Sequence, residues 1–184
     1  MPIPLGVLAV AGAGAAGGGN SFDLLETTVL GTDTTSVTFS GLGSYSAYKH
    51  LQIRLVARES VAADQGGVVV QFNADTGNNY YNHALEGNGS SVSSLGFDST
   101  SIRTFSALGN TSTASAFGAG VLDILDFSSS SKRTTLRALT YGWYGYIYLS
   151  SGLWNNTAAI TSIRLAGVYG GFKTGSRFSL YGIK

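Results

Sequence analysis

In residues 48–58 (YKHLQIRLVAR) and 176–184 (SRFSLYGIK), apolar side chains fall on every second position. Leu51, Ile53, Leu55 and Ala57 mark the first segment, and Phe178 and Leu180 mark the second, with Ile183 as a looser member. A period of two belongs to strands with one buried face; a helix would repeat its apolar positions about every 3.6 residues. The second segment runs to Lys184, and the sequence reading therefore closes the domain there, with its C-terminus held in a sheet.

The same alternation recurs along the chain, punctuated by turn residues. Residues 21–30 and 36–40 form a first pair of expected strands, separated by Gly31, Thr32 and Asp33. Residues 49–58, 68–73 and 80–86 follow. Residues 87–115 are rich in Gly, Ser and Thr, carry one weak strand at 102–105, and are expected to form the longest exposed loop region. Further strands are expected at 117–127, 134–143, 146–154 and 159–165. Residues 117–127 (FGAGVLDILDF) are too apolar for a strand with one wet face, so they are expected at the sandwich centre, or with a bulge near Asp123. Gly or Ser interrupts nearly every window long enough for three helical turns. Many short strands with frequent turns predict an all-β, antiparallel two-sheet sandwich, jelly-roll-like, since one open sheet would leave a face and two edges bare.

Residues 1–20 (MPIPLGVLAVAGAGAAGGGN) read as an N-terminal extension before a sandwich domain of residues 21–184. An apolar, charge-free plug of Ile3, Leu5, Val7, Leu8 and Val10 precedes a Gly/Ala linker, and its expected role is an assembly anchor buried in a neighbouring subunit. The first basic residue is Lys49, which does not suit a secretory signal, and the Ala/Gly run is too weakly hydrophobic to span a membrane. Only 11% of the 184 residues are charged and the net charge is +1, so no basic stripe for nucleic acid and no membrane insertion are expected. With no cysteine there is no disulfide framework or thiolate nucleophile.

Candidate chemistry is sparse. His50 and His83 lie far apart on expected strands, without metal-ligand spacing. The segment 73–80 (NADTGNNY) has the oxygen ligands of a calcium loop but not the EF-hand spacing. It reads instead as a tight turn, with Gly77 at positive φ and an Asn side chain bonded to nearby backbone. Asp123 and Asp126, three apart on a strand, point to opposite faces and cannot flank one glycosidic bond; Glu86 and Asp98 are the other carboxylates weighed. No nucleophile-elbow or phosphate-loop motif is present, so the chain is read as not an enzyme, and no cofactor or metal is expected. Aromatics are denser. Tyr141, Trp143, Tyr144, Tyr146 and Tyr148 crowd one hairpin, where about half should cover the core and the rest are interface or ligand candidates.

The strings FDLLETTVL, TSVTFSGL, YKHLQIRLVAR, QFNADTGNNYYNHAL, GAGVLDILDF, SSGLWNNTAAITSIRL and FSLYGIK, taken in order, resemble small virion structural proteins of tailed bacteriophages, common among marine and cyanobacterial phages. The resemblance spans about nine tenths of the sequence, and the opening MPIPLGVLAVAGAG is similar to the apolar start of such proteins. It implies a non-enzymatic β-sandwich on the exterior of a phage particle. Its partners would be other virion proteins, further copies of itself, with a trimer favoured, and a host surface glycan or envelope receptor. Two locations compete: a tail fibre or receptor-binding component docked through its N-terminal segment, and a capsid cement or decoration protein. A carbohydrate-binding module is the third reading. For receptor binding, residues 87–115 and the hairpin 141–148 are the expected contact regions.

Overall fold

A computed structural model of the chain describes residues 21–142 and 145–184. The anchor residues Ile3, Leu5, Val7, Leu8 and Val10, and the hairpin residues Trp143 and Tyr144, lie outside the described residues. The strands are β1 (Phe22–Val29), β2 (Ser36–Ser40), β3 (His50–Arg58), β4 (Val68–Phe72), β5 (Tyr80–Gly87), β6 (Val92–Ser99), β7 (Ile102–Thr104), β8 (Ala107–Leu108), β9 (Gly118–Ile124), β10 (Thr134–Gly142), β11 (Tyr146–Trp154), β12 (Ser162–Gly167) and β13 (Arg177–Ile183). They build the expected all-β sandwich. A nine-stranded sheet runs β1-β13-β3-β9-β10-β11-β5-β6, with β8 attached to β3, and a four-stranded sheet runs β2-β12-β4-β7. Every pairing is antiparallel except the two-residue contact between β3 and β8.

Alternation decides which side chains fill the space between the sheets. β10 alternates buried and exposed from end to end, and β3 sends Leu51, Ile53, Leu55 and Ala57 inward. Phe39, Val70, Phe72, Ile163 and Leu165 of the small sheet meet Leu122, Ile124, Leu136, Phe178 and Leu180 of the large one in a single core. A second, smaller cluster under β5, β6 and β11 contains Ala84, Phe105 and Tyr148. The sheets approach closely where Ile102 of β7 lies over Gly152 of β11: a Cβ at that glycine would come within 2.8 Å of three Ile102 carbons.

Two expectations are corrected. Residues 87–115 are not one exposed loop: they contain β6, β7 and β8, and Ile102, Thr104, Ser106 and Ala107 are fully buried. The following turn is tied down by Arg58, whose Nη1 donates to the carbonyls of Thr113 and Ala116 (2.8 Å each) and whose Nη2 donates to those of Asn110 (2.9 Å) and Ser112 (2.7 Å). Of the two readings of residues 117–127, the central position holds and the bulge does not: the register is unbroken at Asp123. β9 pairs regularly with β3 and β10 in the middle of the large sheet, and its apolarity arises because its wet face also carries a hydrophobe, Val121, 40% exposed. Phe127 is buried beyond the strand's end, after a turn in which Asp126 has φ 50°. The register shift lies in β1 instead, between Leu24 and Glu26.

Phe178 is fully buried against Phe172, with ring centroids 4.8 Å apart, so Phe178→Ala should lower stability by about 3–5 kcal/mol. Denaturant midpoints at unchanged slope measure this; a loss well below that range would place Phe178 at the core's periphery. A pH effect is expected at Asp33. Its carboxylate accepts from Lys173 Nζ (2.5 Å) and from the Thr174 backbone N–H (2.8 Å), which hold its pKa down to about 2 from the ordinary 3.8. The folded carboxylate therefore stays ionised where the unfolded one has protonated, and the stabilisation present above about pH 4 is lost as pH falls through about 2. Asp33→Asn should flatten the fall of the urea midpoint across that window, and an unchanged slope would contradict the assignment.

Candidate functional site

The outward face of the large sheet is built from rows of side chains that in-register pairing brings side by side. One row crosses nearly the whole sheet: Leu24, Tyr181, Gln52, Asp123, Arg137, Ser151, His83 and Gly96 are successive Cα partners from β1 to β6. The neighbouring row toward the β10 N-terminus is Thr135, Leu153, Tyr81 and Asp98. On the other side come Arg54, Val121, Leu139, Leu149, Leu85 and Ser94, then Val56, Ala119, Tyr141, Ile147, Gly87 and Val92. The face is thus polar at one end and apolar at the other.

Hydrogen bonds lock part of the polar row. Gln52 Nε2 donates to Asp123 Oδ1 (2.7 Å), Arg137 Nε donates to Asp123 Oδ2 (3.0 Å), and Arg54 Nε donates to Gln52 Oε1 (2.8 Å). Asp123 is thereby spent on positioning Arg137, whose side chain is exposed and whose Cα partner on β11 is Ser151. His83, Asp98, Thr135 and Ser151 carry no side-chain hydrogen bond among the described residues and are exposed. Gly96 makes room for His83: a Cβ there would fall 2.5 Å from Cδ2 and 2.6 Å from Nε2 of the imidazole, so the ring leans across β6.

Three shallow depressions mark this face. The first, about 440 Å³, is bordered by Tyr81, His83, Asp98, Thr135, Ser151 and Leu153. The second, about 640 Å³, shares His83 and Ser151 with it and extends past Arg137 to Leu149 and Leu85. The third, about 440 Å³, lies over Gly120 among Val121, Leu139, Tyr141 and Ile147. The outward face of the small sheet differs in that two of its long polar side chains are already engaged: Arg164 Nη1 donates to Gln71 Oε1 (2.9 Å), and Gln71 Nε2 donates to the Thr100 carbonyl (3.1 Å).

The two histidines have separate fates. His50 Nδ1 accepts the Asp126 backbone N–H at 2.9 Å and holds the turn after β9, whereas His83 is on the open face. The segment 73–80 is a structural turn, but not with the expected geometry. Asn73 and Ala74, not Gly77, have positive φ (52° and 55°), and Asp75 rather than an Asn makes the local bond, accepting the Gly77 N–H at 2.8 Å. Asp75 also accepts Trp154 Nε1 (2.8 Å) and Asn79 Nδ2 (3.1 Å), which lower its pKa and leave little of the carboxylate for another ligand. Asp123 is on the outer face and Asp126 in the turn beyond it, paired with Lys132. Glu86 bonds Ser93 on the opposite face of β5 from Tyr81 and Asp98. Of the described hairpin aromatics, Tyr141 stands on the outer face, Tyr146 is half-buried, and Tyr148 is buried under Phe105, with centroids 4.3 Å apart and its hydroxyl pKa pushed up to about 12 by burial. Tyr148 thus belongs to the interior.

Sequence reasoning missed Tyr81, Asp98, Arg137 and Ser151 as a group, because the signal that joins them is pairing order. It also missed the buried pair at the end of β3. Glu59 Oε2 accepts the Gly67 N–H (2.9 Å) and Oε1 accepts those of Tyr169 and Gly170, while burial pushes its carboxyl pKa up against these bonds.

No family model matches the chain, and no curated protein sequence does. Among solved structures it is similar to an exo-inulinase from Aspergillus awamori (16% identity, TM-score 0.33, 89% of this chain and 29% of that one). It is also similar to the enzymatically active domain of tailspike protein 2 of bacteriophage CBA120 (10%, 0.35, 94% and 30%). A third is an alginate lyase variant in complex with alginate tetrasaccharide (8%, 0.30, 88% and 78%). The chain spans under a third of the inulinase and of the tailspike domain. At these TM-scores the likenesses assign the chain neither an activity nor a substrate. They do correct one expectation: all three neighbours are enzymes or enzyme domains, so the reading of this chain as not an enzyme, drawn from missing motifs, is withdrawn.

The contact at Gly96 is directly testable. Gly96→Ala should displace the His83 ring while changing stability by no more than about 1 kcal/mol, because the ring is exposed and can swing away. Movement of the His83 ring resonances in a carbon–proton correlation spectrum is the expected result; unchanged resonances would show that the ring does not lean over Gly96.

Proposed function

We propose that this chain is an exterior virion protein of a tailed bacteriophage, a tail fibre or receptor-binding component, and that the polar end of the large sheet's outer face binds host surface glycan. The observation that carries the reading is the convergence of two adjoining depressions on His83 and Ser151, ringed by Tyr81, Asp98, Thr135 and Arg137. Sugars are recognised by aromatic rings against their C–H faces and by dense hydroxyl, carboxylate and guanidinium partners at their edges. Tyr81 supplies a 42% exposed ring, held at its hydroxyl by Asn155 Nδ2 at 3.4 Å. Asp98 and His83 offer acceptors, Arg137 is pre-oriented by Asp123, and Thr135 and Ser151 add hydroxyls. All six side chains stand on strands of a packed sheet, which holds their spacing before ligand arrives. The phage assignment rests on the sequence resemblance and on nothing in the site itself.

Calorimetric titration of the full chain with polysaccharide from a susceptible host envelope tests the site. Tyr81→Ala and His83→Ala should each weaken binding about tenfold, roughly 1.4 kcal/mol, with the fold intact by circular dichroism. Absence of glycan binding together with saturable binding to assembled capsids would reject the receptor-binding reading and favour the capsid location.

A further inference from the structure

Beyond the His83 row the outer face becomes apolar; Leu85 and Leu149 border the second depression of the glycan site, whereas Val121, Leu139, Tyr141 and Ile147 lie outside it. Val121, Leu139, Leu149 and Leu85 lie side by side across four strands, and Tyr141 and Ile147 continue the patch one row further on. Each of the six is 40% to 55% exposed. Together they present roughly 500 Å² of apolar surface, which matches the largest patches that monomeric proteins leave in water. It lies on a chain with only 11% charged residues, so few charges are available to flank it.

We propose that this half of the face is covered in solution by a second copy of the chain. Area is the first argument. Two copies meeting on the patch remove about 1,000 Å² in total, the lower threshold for a biological interface, and the flanking Val56 and Ala119 add to it. Composition is the second. From Val121 to Leu85 and from Ala119 to Ile147 the rows contain no ionisable group except the Tyr141 phenol, so nothing in them selects a partner of opposite charge. Shape is the third. The depression of about 440 Å³ over Gly120 is bordered by Val121, Leu139, Tyr141 and Ile147 of the same patch, so a two-fold pairing sets the hollow of each copy against the apolar side chains of the other. Packed face to face about 10 Å apart, two such sheets would meet at their apolar ends and leave the Tyr81 and His83 rows of each uncovered.

Size-exclusion chromatography with light scattering on the full-length protein at micromolar concentration tests this. Wild type and Leu24→Lys, an exposed substitution on the far edge of the same face, should run as oligomers. Leu149→Lys and Leu139→Glu should run as monomers, with the dissociation constant raised at least about 100-fold. A monomeric wild type, or an oligomer unaffected by both substitutions, would overturn the proposal. The chain has no cysteine, so Leu149→Cys adds a single reporter thiol. It should be protected from a soluble maleimide in the oligomer and reactive after dilution to monomer. Protection in the monomer that disappears on deletion of residues 1–17 would assign the cover to the chain's own N-terminal segment, and would equally overturn the proposal.

Discussion

In-register pairing of β3, β9, β10, β11, β5 and β6 is the constraint on which the rest of the molecule depends. A strand's side chains alternate strictly, so a slip of one residue would turn Leu136 and Ala138 outward and Arg137 and Leu139 into the core. The inner face forbids this, because its large side chains interlock with those of the small sheet and Ile102 fits only over a glycine in β11. Once the inner register is set, the outer rows have no freedom. The Gln52, Asp123 and Arg137 bonds then add a cross-strand clamp on the wet side. The chemistry of the outer face is therefore a by-product of core packing, and it is rigid for the same reason.

The two charged groups at the end of β3 join this sheet to its surroundings. Arg58 gathers four carbonyls of the turn before β9, and Glu59 gathers backbone N–H groups from the approach to β4 and the exit of β12. Both are buried, and a buried charge is tolerable only when its hydrogen-bonding capacity is filled. The arrangement couples the sheets through the backbone of their loops, where side-chain packing has run out.

Most strands were legible because they obey one rule, a buried face every second residue. β3, β10 and β13 announce themselves this way. β6 does not: as the sheet's outer edge it is exposed or half-exposed on both faces (VSSLGFDS), and its alternation is confined to Leu95 and Phe97, too short a run to stand out from loop. β7 and β8 are two or three residues long, below any period. β9 misled in the opposite sense, because its wet face is apolar, and that anomaly was the sequence's trace of the exposed patch. The polar site was out of reach of local reading altogether. Tyr81, Asp98, Arg137 and Ser151 come from four strands, and only the spatial order β10-β11-β5-β6 assembles them. Missing motifs do not exclude catalysis for a related reason: a motif search tests contiguous signatures, while side chains on a sheet face are dispersed along the chain.

The central claim is that recognition belongs to the outer face of the nine-stranded sheet and not to loops or to the small sheet. Backbone amide shifts recorded by NMR while the protein is titrated with envelope oligosaccharides test it most directly. The account predicts perturbations confined to the strands that carry Tyr81, His83, Asp98, Arg137 and Ser151. Perturbations centred instead on Thr38, Gln71 and Arg164, across the small sheet's outer face, would contradict it.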